Sequence, residues 1–413
     1  MICRKVVAKD QGGPALPQDH IDGVDPNRLR RISRWMEGHV RDGRLSGLAV
    51  QIARRGQVVF SERAGHADAA AGRAVAPDTI WRIYSMTKPV TSLALLMLYE
   101  EGAFQLDQPV ADFLPAFADP QVWTGEGHAL TETEPARRQI TIHDLLTHQA
   151  GIVYGDPRGN ALEQALSASG LDFDRGFATM AEAVEALAAF PLAFHPGARW
   201  FYGLSTDVLG HLIEVISGQT LGGFLKSRIF DPLGMTDTGF SVPEDKAGRL
   251  ATLYDHAGGG YVPSASQDCC LAPVTLESGG GGLVSTMADY QRFATMLLQR
   301  GAYDGGRLLG RKTFDLMVSN QMGGDLASRG QAHFSETTFE GIGFGLGVSV
   351  MLDPVRARIV GSPGEFAWGG MASTAFWVDP VEEMTVILMT QLIPSSAYTL
   401  RRQLRVLSYQ ALV

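Results

Sequence analysis

Cysteine is scarce: 3 residues in a chain of 413. Cys269 and Cys270 are neighbours and Cys3 lies near one end, so no disulfide framework and no C-x-x-C metal or redox motif can be drawn. The adjacent pair reads as small apolar packing. Positive charge is also in deficit, with 35 Lys and Arg against 44 Asp and Glu and a net charge of −9. No basic patch dominates, which argues against nucleic acid or an anionic membrane surface as partner. No apolar run is long enough to span a bilayer. The longest, Val90 to Tyr99, is broken by Thr91 and Ser92 and is about half of the ~20 residues a span requires. The first residues carry charge with no apolar stretch behind them, unlike a secretory signal. The cytoplasm is therefore the expected location, or the periplasm or exterior for a chain whose signal has been removed.

Several catalytic signatures are missing too. There is no G-x-S-x-G of the α/β-hydrolase elbow and no H-E-x-x-H of a zinc protease. The glycines from Gly279 to Gly282 lack the G-K-[ST] ending of a phosphate loop. His143 and His148 are five apart, a poor spacing for a helical metal pair, and read as structural, with Asp144 capping or bracing their loop.

What is present describes a globular chain, 45% hydrophobic and 19% charged. Residues 1–25 are polar, with glycine and proline, and read as a loose leader. Leu29, Ile32, Trp35, Met36 and Val40 give residues 27–41 a helical period. Residues 48–54 and 58–63 flank Arg55-Gly56 and predict a hairpin. Helical patterns over 180–190 and 206–216 are separated by loops rich in proline and glycine. Strand patterns return at 344–352, 357–361, 373–378 and 384–391, and a last helix is predicted over 396–412. The order is sheet, helices, sheet. The expected architecture is α+β: an antiparallel sheet flanked by helices, built from 26–118 and 276–413, with a mostly helical second lobe over 119–275. A cleft between two such lobes is a favoured place for a small-molecule site.

Three patches could carry chemistry. In Ser85-Met86-Thr87-Lys88, serine and lysine three apart share one face of a helix. A lysine in its neutral form can activate the hydroxyl, and a helix start offers free N–H groups for an oxyanion. Alone, S-x-x-K is a common pattern that equally describes a capping serine with a solvated lysine. Pro89 must then fall in the first helical turn, where its missing N–H is harmless. Phe201-Tyr202-Gly203-Leu204-Ser205 precedes a helix that Ser205 could cap. A phenol beside a lysine can relay protons, though a tyrosine at such a junction is more often simply packed in the core. Ala367-Trp368-Gly369-Gly370-Met371 precedes a strand, and its glycines would let a substrate lie along the strand edge.

Together, in this order, these patches resemble the serine β-lactamase and penicillin-binding-protein superfamily, whose signature is S-x-x-K, a tyrosine or serine motif, then K-T-G. Ile140 to Gly151 is similar to that family's L-L-x-H-x-x-G loop, and Gly280 to Asp289 to its G-G-L-x-S-T segment. The resemblance runs from about residue 25 to the end. It implies a β-lactamase/transpeptidase-like fold, Ser85 as nucleophile, Lys88 as its base and Tyr202 as the tyrosine of Y-x-N. It also implies an oxyanion hole from the backbone N–H groups of Ser85 and Met371. Leu204 replaces the Asn of Y-x-N, and Trp368-Gly369-Gly370 stands on K-T-G. That W-G-G replacement resembles the family VIII carboxylesterases, with Trp368, Gly369, Gly370, Tyr154 and Leu204 as substrate-contacting positions. The expected activity is hydrolysis of short-chain acyl esters, with no metal or organic cofactor and a small-molecule ester as partner. Acyl transfer to an alcohol, β-lactam or D-amino-acid peptide hydrolysis, and an inactive scaffold are the alternatives. No oligomeric state follows from these features.

Overall fold

The computed structural model describes residues 22–413, apart from 172–176, 268, 269, 272, 273, 332 and 335 and the side chains of 333, 334 and 337. Most of the leader, Cys3 and Cys269 lie outside the described residues, while Cys270 is buried.

Helix α1 (Pro26–Arg41) starts where Asp25 accepts the N–H groups of Asn27 and Arg28 and Pro26 supplies a preset φ. The predicted hairpin follows as β1 (Gly47–Arg54) and β2 (Gln57–Asp68). Arg55 and Gly56 both have positive φ, 50° and 79°, the backbone that a two-residue hairpin turn needs. With β3 (Arg73–Ala74) these strands form one edge of an eight-stranded antiparallel sheet. The other five strands are β4 (Ile342–Phe344), β5 (Ser349–Met351), β6 (Phe366–Gly369), β7 (Ala375–Asp379) and β8 (Met384–Thr390). The sheet order is β4-β5-β6-β7-β8-β1-β2-β3. Val50 lies opposite Leu388, so the first and last thirds of the chain meet in the middle of the sheet.

Alternation along the central strands buries both faces. Val386 and Leu388 pack with Leu29, Ile32 and Met36 of α1 and with Leu400 and Leu404 of the C-terminal helix. Ile387 and Met389 point the other way, into the larger core. At the centre of that core runs α2 (Thr87–Glu100), whose residues Thr87 to Leu98 are all buried. Against it packs α3 (Ser205–Ser217), while α4 (Met287–Leu298) lies across the face of the sheet on β7 and β8. The C-terminal helix, α5, spans Leu400–Tyr409. Among the described residues no single helix is long and apolar enough to cross a membrane.

Two strand expectations are corrected. Residues 344–352 do not form one strand, because Gly345 packs its Cα against the Met317 carbonyl and Gly347 takes φ +94°, which turns β4 back into β5. Residues 357–361 are not a strand. Asp353 caps the N–H groups of Val355 and Arg356, so Pro354–Ala357 forms a short helix ended by Arg358 at φ 53°.

Candidate active site

Strand Ile80–Arg82 pairs with Val284–Thr286 and delivers the chain into a 3₁₀ turn, Tyr84–Met86, that leads into α2. Tyr84 has φ +44°, a left-handed conformation unusual for a bulky residue. The turn is fastened from behind: the buried Tyr290 hydroxyl donates to the Met86 carbonyl at 2.9 Å, and Leu283 donates its N–H to Thr87 Oγ1 at 3.1 Å. Ser85 is left half-buried on the turn, one helical step from Lys88.

Lys88 is 1% exposed, and its Nζ has three acceptors. These are Ser85 Oγ at 3.3 Å, Tyr154 Oη at 2.8 Å and the Gly280 carbonyl at 2.7 Å. Three acceptors match the three N–H bonds of an ammonium. In the neutral amine one of those directions becomes a lone pair, and only a hydroxyl can donate to it. The Gly280 carbonyl cannot. Ser85 or Tyr154 must, so the geometry suits proton exchange between hydroxyl and amine.

Tyr202 meets the same nitrogen differently, with Nζ 4.8 Å from the centroid of its ring. Trp368 donates Nε1–H to Tyr202 Oη at 3.3 Å. The two phenols are in edge contact, centroids 5.4 Å apart. Tyr202 is held by close backbone packing at Gly203, where a Cβ would lie 2.1 Å from the Ile152 carbonyl. His148, fully buried and at φ 54°, packs against the Tyr202 ring at 4.9 Å. Burial, reinforced by the Lys88 charge, holds His148 well below the usual imidazole range, so this ring is neutral packing. Asp144 braces the same loop, accepting from Thr141 N–H and from both Arg138 terminal nitrogens.

The W-G-G segment is the end of β6. Gly370 sits so close that a Cβ would lie 2.3 Å from the Ile83 carbonyl, two residues before Ser85. Its N–H donates to the Thr374 carbonyl at 2.9 Å, which closes a turn carrying Met371, 49% exposed, beside the serine turn. A cavity of about 100 Å³ borders Trp368 and Gly369 and is lined in part by Arg401, Arg402 and Arg405. Arg401 is already engaged: it donates to the Gly370 and Thr374 carbonyls at 2.7 and 3.0 Å and faces Glu336. Arg405 pairs with Glu365. Arg402 donates to the Arg358 carbonyl at 3.1 Å.

The structure gathers Ser85, Lys88, Tyr154, Tyr202, Trp368 and the Gly370–Met371 turn around one point. Leu204 lies elsewhere in emphasis: it is buried in the main core and is the N-cap of α3 without a side-chain cap. Ser205, expected to cap, is the first helical residue, and its buried Oγ has no hydrogen-bond partner. Two contacts were not read from sequence, the direct bond from Lys88 to Tyr154 and the Gly280 carbonyl. They join positions 66 and 192 residues apart.

The chain is similar to known proteins over most of its length. The Beta-lactamase family model matches residues 32–410. Esterase EstB of Burkholderia gladioli is 33% identical over 376 residues, covering 87% of this chain and 89% of that protein. Lovastatin esterase of Penicillium rubens is 28% identical over 334 residues, 73% of this chain and 77% of that one. Among solved structures, EstCE1, described as a hydrolase with promiscuous acyltransferase activity, superposes with a TM-score of 0.79 at 25% identity. That match covers 93% of this chain and 98% of EstCE1. With a buried lysine three residues from a serine on an antiparallel-sheet scaffold, and a family match over nearly all of its length, the chain belongs to the Beta-lactamase family and is a serine hydrolase.

Proposed function

We propose that this protein is a carboxylesterase that cleaves short-chain acyl esters through an acyl-enzyme on Ser85. The observation that carries the proposal is Lys88 Nζ, buried and within 3.3 Å of Ser85 Oγ, beside a W-G-G edge whose Arg401 is bound to backbone carbonyls. As Ser85 Oγ bonds to the ester carbonyl carbon, its proton passes to Lys88 Nζ. The N–H groups of Ser85 and Met371 hold the oxyanion. Collapse breaks the bond to the alcohol, which leaves with a proton delivered through Tyr202. Trp368 Nε1–H supports this role by donating to the phenol oxygen and so orienting it. Water, activated along the same path, then attacks the acyl carbonyl and returns Ser85.

Penicillins and cell-wall peptides carry a carboxylate. A site with tryptophan in place of the K-T-G lysine forgoes a charge-assisted contact of about 1.5–3 kcal/mol. The indole favours an apolar acyl or alcohol group instead. Transfer of the acyl group to an alcohol is a second reading, favoured by the likeness to EstCE1 and to ML-236A carboxylate methylbutanoyltransferase of Penicillium citrinum, 26% identical over 342 residues.

The test is a paired assay of wild type and Ser85→Ala on p-nitrophenyl esters from acetyl to octanoyl and on nitrocefin, with and without a competing alcohol. Ester cleavage that is fast, outpaces nitrocefin and vanishes in Ser85→Ala is the expected result. Wild-type rates in Ser85→Ala would overturn the mechanism. Comparable nitrocefin turnover would move the assignment to a β-lactamase or peptidase, and a dominant new ester would move it to an acyltransferase.

A further inference from the structure

The proposed mechanism uses Ser85, Lys88 and a phenol, but a buried carboxylate stands directly behind them. Asp207, in the first turn of α3, is 2% exposed. Its Oδ1 accepts the Ser278 hydroxyl at 2.5 Å and the Gly280 N–H at 3.0 Å. On the other side of the same residue, the Gly280 carbonyl accepts from Lys88 Nζ at 2.7 Å. Gly280 is thus held from both directions, and nothing larger fits: a Cβ there would lie 2.3 Å from Asp207 Oδ2. Thr91 of α2 fixes the neighbouring residue, donating to the Gly279 carbonyl at 2.8 Å.

We propose that Asp207 is a positioning residue for the reaction, the third member of a Ser85–Lys88–Asp207 relay that acts on the lysine through the backbone of Gly280. A nucleophile, a base and a group that orients the base is the general pattern of an activated hydroxyl. Here the orienting group acts at one remove. By fixing the Gly280 carbonyl it fixes one N–H of Lys88, and so aims the remaining directions of Nζ at Ser85 and Tyr154. Its negative charge also balances the ammonium that forms when Lys88 takes the serine proton. Burial raises the Asp207 carboxyl above its usual range, and the Lys88 charge with the Ser278 and Gly280 bonds acts against that; the other titratable groups facing Lys88 are Tyr154, Tyr202 and the neutral His148.

The inference rests on the esterase reading, and the two fail separately. Wild type, Asp207→Asn, Asp207→Ala and Ser85→Ala are compared on p-nitrophenyl butyrate across the accessible pH range, with active sites counted by a fluorophosphonate. Asp207→Asn keeps an oxygen for Ser278 and Gly280 but removes the charge. Its kcat per titrated site is expected to fall about tenfold or more with KM little changed. The acid limb of its pH profile is expected to move to lower pH, because the charge that favours the protonated amine is gone. Asp207→Ala, which also loses the acceptor, falls further. An unmoved pH profile and an unchanged kcat per site in Asp207→Asn would overturn the proposal and leave Asp207 a structural brace, visible only in thermal stability. If Asp207→Asn does not fold, Ser278→Ala carries the test. Lowered kcat at constant KM then supports the relay, and an unchanged kcat overturns it. Activity persisting in Ser85→Ala would instead overturn the serine mechanism itself.

Discussion

Tyr154 and Tyr202 both touch Lys88, one with its hydroxyl and the other with its ring. The proposed roles differ accordingly. Tyr202 relays the proton, its oxygen supported by Trp368, and Tyr154 helps to hold the amine in place. Tyr202→Phe should lower kcat by the ~10²–10⁴ typical of a general acid–base group. Tyr154→Phe removes one of three Nζ partners and should cost less, about tenfold. Steady-state kinetics on one ester decides the matter. If the order reverses, the relay passes through Tyr154, and a loss below about threefold in Tyr202→Phe removes it from the mechanism. At this scale the sequence was informative only where chemistry is local. Ser85 and Lys88 are three residues apart, and one helical turn brings them together whatever surrounds it. Tyr154 carried no such signal, because its bond to Lys88 spans 66 residues of chain.

At the scale of elements, the site depends on close backbone approaches that only glycine allows. Gly370 seats the end of β6 against the Ile83 carbonyl and so brings Met371 to the serine turn. Gly370→Ala places a methyl 2.3 Å from both that carbonyl and Thr374 Oγ1. The turn must then move, taking the proposed oxyanion donor with it. Since losing one such donor costs about 10²–10³ in rate, kcat should fall by that order while far-ultraviolet circular dichroism stays unchanged. Retained kcat would show that the Met371 N–H is not part of the hole. The glycines of W-G-G were visible as a motif. What each one touches was not, since the Ile83 partner is brought in by the pairing of residues 80–82 with 284–286. The two strand errors have the same origin. Phe344 to Leu352 is apolar enough for one strand, but Gly345 and Gly347 turn it under the pressure of Met317 and Ser92.

For the whole molecule, two groups set how stability responds to acid, in different windows. His148 is buried and neutral, its pKa depressed far below 6.5. The unfolded chain takes up a proton there that the folded one refuses, so its contribution is complete above that value and is lost as pH falls below it. Asp237 is lowered from 3.8 to about 2, first by its bond with Arg249 and also by Lys246. Its contribution is present above 3.8 and is lost as pH falls toward about 2. Thermal melts should therefore show an early decline that His148→Gln flattens. Asp237→Asn should lower Tm near neutrality by an amount that shrinks through the second window. Parallel Tm curves for wild type and Asp237→Asn down to pH ~2 would contradict the assignment.

By itself the sequence determined the local periods, the Arg55-Gly56 hairpin turn and the serine–lysine step. These depend on neighbours along the chain or on residue type alone. Tertiary structure decided which carbonyl faces Lys88, which phenol bonds it and which carboxylate stands behind it. It also decided that Arg401 is spent on the Gly370 and Thr374 carbonyls. The physical reason is distance in sequence. Gly280 is 192 residues from Lys88 and comes to it only when α2 is buried in the core against α3, where an unpaired polar group is too costly to leave unsatisfied.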